Sequence, residues 1–165
     1  MDNIILIGMP TCGKTTLGKL LATRLGYTFL DTDDVIRQRH GTDLKTLIDR
    51  EGREGFLRLE EEAVCSVKVS RTVIATGGSV VYSPAAMAHL KSIGRVVYLY
   101  ISYPMLEQRM GDPHARGVVL AEGFTLKDLY DERAKLYEQY ADITLVEHPK
   151  DSARQWAAKL LPLLK

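Results

Sequence analysis

Residues 4–15, Ile4-Ile5-Leu6-Ile7-Gly8-Met9-Pro10-Thr11-Cys12-Gly13-Lys14-Thr15, read as a buried strand running straight into a glycine-punctuated loop. From Lys14 to about Leu25 the pattern is helical, with Leu17, Leu20, Leu21 and Leu25 on one face, and Gly26 stops it. Gly8, Gly13, Lys14 and Thr15 have the spacing of a phosphate-binding loop set between a strand and a helix. Glycines let the chain wrap an anion, backbone N–H groups point inward, and the helix dipole adds positive potential. Lys14 reaches the β- and γ-phosphates, and Thr15 offers an oxygen to Mg²⁺. ATP and Mg²⁺ are therefore the expected ligands, with Gly8, Thr11, Cys12, Gly13, Lys14, Thr15 and Thr16 around the phosphates. Cys12 has two readings. It is a small packing residue, or a thiolate favoured by Lys14 and the helix N-terminus.

Outward from this loop, short apolar runs alternate with amphipathic stretches. Strands are expected at residues 4–7, 28–30, 72–75, 96–101 and 143–146. Helices are expected at 14–25, 33–40, 43–50, 54–69, from Pro84, at 103–110, 125–140 and at the C-terminus. Strands separated by helices imply parallel pairing and an α/β sandwich. The 165 residues fit one domain, 1–165, without repeats or linkers.

A net charge of +1 argues against a nucleic-acid partner. Two cysteines, Cys12 and Cys65, make no disulfide framework or metal cluster. With no secretory signal and no apolar run of about 18 residues, a cytoplasmic protein without a membrane partner is expected.

Three constellations bear on the phosphate acceptor. Asp31 and Asp33 flank Thr32 at the end of the second strand, where carboxyl ends of parallel strands border ligand crevices. Alternation points both carboxylates the same way if the strand continues. One suits a Mg²⁺-bound water and the other an attacking hydroxyl, although Asp33 could also cap the following helix. Gly77 and Gly78 follow the third strand and allow close backbone approach to a small ligand. Arg116 lies in an irregular stretch, residues 111–123, suited to a lid, and Arg133 lies on the next helix. Each arginine alone reads more readily as a solvated surface residue.

Taken in order, these residues resemble the shikimate kinase family. The match is carried by the phosphate loop, "LDTD" from Leu30, "GREGF…E" from Gly52 to Glu60, "TGG" from Thr76, "VVYL" from Val96, Arg109 and Arg116 about the lid, and "RAKLY" from Arg133. The resemblance implies a nucleoside-monophosphate-kinase-like fold: a five-stranded parallel sheet between helical layers, a helical substrate region (about 33–62) and a lid (about 111–124). It implies transfer of the γ-phosphate of ATP to the 3-hydroxyl of shikimate. It assigns Lys14, Asp33 and Arg116 to catalysis, Thr15 and Asp31 to Mg²⁺, and Arg109 to the adenine. Asp33, Gly77, Gly78, Arg116 and Arg133 are assigned to the acceptor. A monomer acting on a small molecule is expected.

The match breaks at Leu57. The family has an arginine there that grips the substrate carboxylate. Arg58 faces elsewhere on the helix, a step of about 100° away. Arg53, four residues earlier and on the same face, replaces a commonly acidic residue and is the candidate substitute. Thr11 and Ser79 stand where the family has glycine, and "RGVVL" from Arg116 replaces Arg-Pro-Leu-Leu. Leu57 leaves two alternatives open: a kinase of another hydroxylated acid or polyol, or a catalytically idle ATP-binding module. A nucleoside-monophosphate kinase fits less well, because the Asp31–Asp33 and Gly77–Gly78 pairs suit a compact polyhydroxy acceptor.

Overall fold

A computed structural model describes residues 2–113, 118 and 120–165. In these residues the chain alternates as expected: β1 (Asn3–Ile7), α1 (Lys14–Leu25), β2 (Thr28–Asp31), α2 (Thr32–His40), α3 (Leu44–Cys65), β3 (Thr72–Ala75), α4 (Pro84–Ile93), β4 (Gly94–Tyr100), α5 (Tyr103–Met110), α6 (Leu126–Tyr140), β5 (Ile143–Val146) and α7 (Ala153–Leu160). Short 3₁₀ turns occupy Val80–Tyr82 and Leu161–Leu164.

All five strands pair in parallel, in the order β2-β3-β1-β4-β5. The central strand β1 is buried along its whole length, as a strand covered on both faces must be. Helix α1 packs on β1, β2 and β3 beside α7, while α4 and α6 pack on β4. The fold is thus the three-layer α/β/α arrangement that the alternation implied. A second, smaller apolar cluster of Ile36, Leu47, Phe56 and Ala63 ties α2 to α3. It sits within the stretch assigned to a helical substrate region.

Within α3 two boundaries differ from the sequence reading. The helices expected at 43–50 and 54–69 are one element, α3, bent at Gly52, whose φ of 72° and ψ of 178° are not helical. The glycine marks a kink and not an end, because the apolar stripe resumes after it. The helix stops at Cys65, four residues early. Tertiary partners take the carbonyls that helix would have used: His89 Nε2 meets Val67 O at 2.7 Å and Asn3 Nδ2 donates to Val69 O at 2.8 Å.

Asn3 fixes the amino edge of the sheet. Besides Val69 O, its amide donates to Ile93 O at 3.0 Å and its carbonyl accepts from Thr72 N at 2.9 Å. One buried side chain thereby joins the starts of β3 and β4 to β1. Asn3→Ala should destabilise the protein by about 2–3 kcal/mol, since three backbone groups lose their partner. At this chain length that lowers Tm by about 4–12 °C. A shift under about 2 °C in a thermal melt would show that water replaces these bonds at no cost.

Candidate active site

The carboxyl ends of β1, β2 and β3 open into a cleft of about 370 Å³. Its walls include Thr11, Gly13, Lys14, Thr15 and Thr16 on one side and Asp31, Asp33, Glu60, Gly77, Gly78, Ser79 and Arg133 on the other. Residues predicted from distant parts of the sequence therefore meet in one place.

The phosphate loop begins where β1 ends and hands over to α1 at Gly13, whose φ of 93° is left-handed. Gly8 also has a positive φ, 152°, and a side chain there would stand 2.8 Å from Leu99 O. Lys14 is only 9% exposed. Its ammonium donates to Gly8 O and Met9 O, each at 2.8 Å, and approaches Cys12 Sγ at 3.5 Å. A nucleotide phosphate would have to replace the loop's own carbonyls as its partner. Cys12 is buried in the main core and its N–H donates to Met9 O at 3.2 Å. Its thiol is thus a packing element under the loop, not a group presented at the helix mouth.

Thr11 holds the tightest bend. Its φ is 65°, a left-handed value that a β-branched residue rarely adopts. Its carbonyl accepts from Arg109 Nη1 at 3.2 Å, and Arg109 makes a two-pronged ion pair with Glu147. Arg109 therefore braces the loop from α5, with Glu147 raising the guanidinium's pKa further. The structure places it beside the loop, at the edge where β5 ends.

Asp31 and Asp33 do meet at the cleft, but alternation is not the reason. The strand stops at Asp31, which is the N-cap of α2: its Oδ1 accepts from Asp33 N at 2.9 Å. The cap is Asp31 and not Asp33. Asp31 Oδ2 also accepts from Thr15 Oγ1 at 3.3 Å. A hydroxyl and a carboxylate oxygen converging at the phosphate loop are a hard, oxygen-only donor set. That set suits Mg²⁺, which keeps several waters and takes few protein ligands. Asp33 is free of the cap, and its carboxyl pKa is raised to about 6 by burial and by neighbouring Asp31, against the pull of Lys14.

The paired glycines are required by close approach. A Cβ on Gly77 would stand 2.7 Å from Glu60 Oε2 and 2.9 Å from Asp33 Oδ1. One on Gly78 would stand 2.8 Å from Arg133 Nη1 and 2.9 Å from Pro10 Cδ. Tyr137 OH secures the turn by donating to Gly78 O at 2.6 Å. Arg133 is 1% exposed, yet it lines the cleft, with Nε donating to Tyr82 OH at 3.4 Å.

Three contributors had no role in the sequence reading. Glu60, 2% exposed, turns Oε1 toward Ser79 Oγ, which donates at 2.7 Å. Its Oε2 has no hydrogen-bond partner among the described residues. Burial and the nearby Asp33 push the Glu60 pKa up to about 7, against Ser79 and Arg133. Ser79, at a family glycine position, thus holds a buried carboxyl group. Tyr82 lies under two guanidinium groups: Arg53 is 5.2 Å and Arg133 5.3 Å from its ring centroid. Leu57 is half-buried and Arg58 exposed. Arg116 lies outside the described residues. Val118, within the same stretch, is buried against the cleft.

The shikimate kinase family model matches residues 10–165. The chain belongs to the shikimate kinase family. A shikimate kinase of Thiobacillus denitrificans is 38% identical over 99% of this chain and 88% of its own length. Among solved structures, the shikimate kinase of Acinetobacter baumannii in complex with shikimate superposes with a TM-score of 0.87 at 34% identity, covering 99% of this chain and 92% of that one. That of Aquifex aeolicus gives 0.81 at 28% identity, covering 97% and 94%. The chain is accordingly an ATP-dependent kinase of a hydroxyl group.

Two measurements follow from the cleft's strain and charge. Thr11→Gly should stabilise the protein by about 0.5–1 kcal/mol, because relief of the left-handed conformation outweighs the added freedom of the unfolded chain. A lower denaturation midpoint would place the strain elsewhere. For Glu60 the folded pKa, about 7, lies above the ordinary value of 4.5. Across that interval the unfolded chain has lost the proton and the folded chain keeps it, so this group's contribution to stability falls as pH rises. Glu60→Gln should therefore gain on the parent protein between about pH 4.5 and pH 7. A stability difference that is flat with pH would contradict it.

Proposed function

We propose that the protein transfers the γ-phosphate of ATP to the 3-hydroxyl of shikimate, as a monomer in the cytoplasm. The carrying observation is the cleft itself. A phosphate loop with Lys14 faces Asp33, Gly77, Gly78 and Arg133 across one small cavity. A polyhydroxy acceptor with a carboxylate fits that polarity better than a nucleobase does. The shikimate-bound relative superposes over nearly the whole chain.

In this reading the phosphates lie on the backbone N–H groups of the loop and on the N-terminus of α1. Gly8, Thr11, Cys12, Gly13 and Thr16 shape that cradle. Lys14 exchanges Gly8 O and Met9 O for phosphate oxygens and follows the charge of the moving phosphoryl group. Thr15 and Asp31 would hold Mg²⁺, which would supply positive charge to the phosphates. Asp33 orients the acceptor hydroxyl and takes its proton. A carboxylate whose pKa is raised to about 6 is a better base than an ordinary one and is still ionised at neutral pH. Gly77 and Gly78 let the acceptor approach backbone N–H groups. Arg116 closes over the reacting groups with the lid, about residues 111–124, and Arg109 faces the adenine. The helical region, about residues 33–62, forms the acceptor side of a single domain.

Leu57 bears on substrate choice and not on the chemical step, because it removes a carboxylate partner and leaves Lys14, Asp31 and Asp33 in place. Arg53 supplies the missing cation beside Arg133. An idle nucleotide-binding module would need a further loss, since Lys14, Thr15, Asp31, Asp33, Arg116 and Arg133 are all present.

The test is ADP release with Mg-ATP over a wide shikimate range. Saturation is expected below about 1 mM, the upper end of ordinary KM values. Turnover no faster than background ATP hydrolysis overturns the reading. Because Asp33 must be ionised to accept a proton, kcat/KM should fall as pH drops below about 6. Asp33→Asn should lose about 10²–10⁴-fold in kcat with ATP binding intact.

A further inference from the structure

We propose that Tyr82 is a positioning residue for substrate specificity: its ring carries the Arg53 and Arg133 guanidinium groups together and so builds a two-arginine grip for the acceptor's carboxylate. The inference rests on shikimate, or an acceptor like it, being the substrate.

Three local features produce this arrangement. Tyr82 ends the 3₁₀ turn Val80–Tyr82 that follows Gly77-Gly78 and packs against α3 and α6. Arg133 comes to it from α6 and Arg53 from α3. Both guanidinium carbons lie within 5.3 Å of the ring centroid, inside the range of about 6 Å where a π face attracts a cation. The Tyr82 hydroxyl also accepts from Arg133 Nε at 3.4 Å. Finally, the kink at Gly52 falls one residue before Arg53 and sets the direction in which the second half of α3 begins.

Each guanidinium is attracted to the π system of the ring, and each keeps N–H donors with which to meet an anion. Arg133 lines the cleft and Arg53 is half-buried outside its lining, so the ring links a cation already in the wall to one beside it. Leu57, one turn after Arg53 on the same helix face, contributes no charge. The ring thereby restores two-point recognition of a carboxylate at a position where the helix lacks its usual cation. A guanidinium fork is suited to that recognition.

Initial rates on the full chain test this, using shikimate and its uncharged methyl ester as acceptors. Tyr82→Leu removes the π face and Arg53→Ala removes the cation. Each should raise KM for shikimate by about 10-fold, through loss of a guanidinium–carboxylate contact or of the π face that holds it, while KM for ATP moves less than about 2-fold. The double variant should be no worse than Tyr82→Leu alone, because two residues acting as a unit are not additive. Tyr82→Phe keeps the ring and should stay within about 3-fold of the parent. Leu57→Arg should rescue the Arg53→Ala variant. With the methyl ester, the parent and both single variants should behave alike.

Unchanged shikimate KM in Arg53→Ala and Tyr82→Leu, or equal losses with the ester, overturns the inference while leaving the acceptor assignment standing. Full additivity of the two substitutions also overturns it. A parent protein that fails to phosphorylate shikimate removes both. Arg53→Ala lies on a half-buried, polar stretch of α3, so an unchanged shikimate KM in that variant overturns the inference even if Tyr82→Leu does not fold.

Discussion

Burial of charge at the carboxyl edge of the sheet is the constraint on which the rest of the structure depends. Lys14, Glu60 and Arg133 are each at most 9% exposed and share one cleft. An isolated ion in such a place would cost several kcal/mol or change its protonation. Each is answered locally. Lys14 has two loop carbonyls. Arg133 has the Tyr82 ring and hydroxyl. Glu60 has Ser79 on one oxygen and a raised pKa on account of the other. The glycines follow from the same crowding: Gly77 and Gly78 pass between charged side chains with no room for a Cβ. A parallel sheet suits this design, since its helices cover both faces and only the strand ends remain open for polar groups.

How far the sequence could reveal this depends on whether a feature is local. The phosphate loop was legible because its chemistry is written in eight consecutive residues between a strand and a helix. The parallel sheet was legible because apolar runs and amphipathic helices alternate along the whole chain. The Asp31–Asp33 pair was found for the wrong geometric reason. Alternation assumes a strand that continues, whereas Asp31 caps a helix and turns the chain. The end of α3 was misplaced because Val67 and Val69 extend the apolar stripe, while the partners that take their carbonyls, His89 and Asn3, are far away in sequence.

The roles of Ser79 and Tyr82 were hidden for the same reason. Ser79 reads as an ordinary turn residue until β3 brings it against α3, 19 residues away from Glu60 in sequence. Tyr82 reads as one more apolar residue after Val80 and Val81. Its importance arises only where α3 and α6 both present an arginine to it. Arg109 is another case. Its place beside Thr11 and Glu147 depends on the order of β1, β4 and β5 in the sheet.

The departures from the family pattern are physically coupled. Leu57 and Glu60 are three residues apart, so they share a face of α3. A cation at 57 would stand beside a buried carboxylate and hold it ionised. With leucine there, Glu60 must be satisfied otherwise. The serine at 79 supplies a hydroxyl donor where a glycine could not, and burial raises the carboxyl's pKa to about 7. The cation that acts on Glu60 is Arg133, while Arg53 lies over the Tyr82 ring. The charge lost at 57 and the charge gained at 53 are therefore not a simple relocation. They divide one function into two: a hydroxyl and a proton settle the buried acid, and an aromatic ring holds the cation.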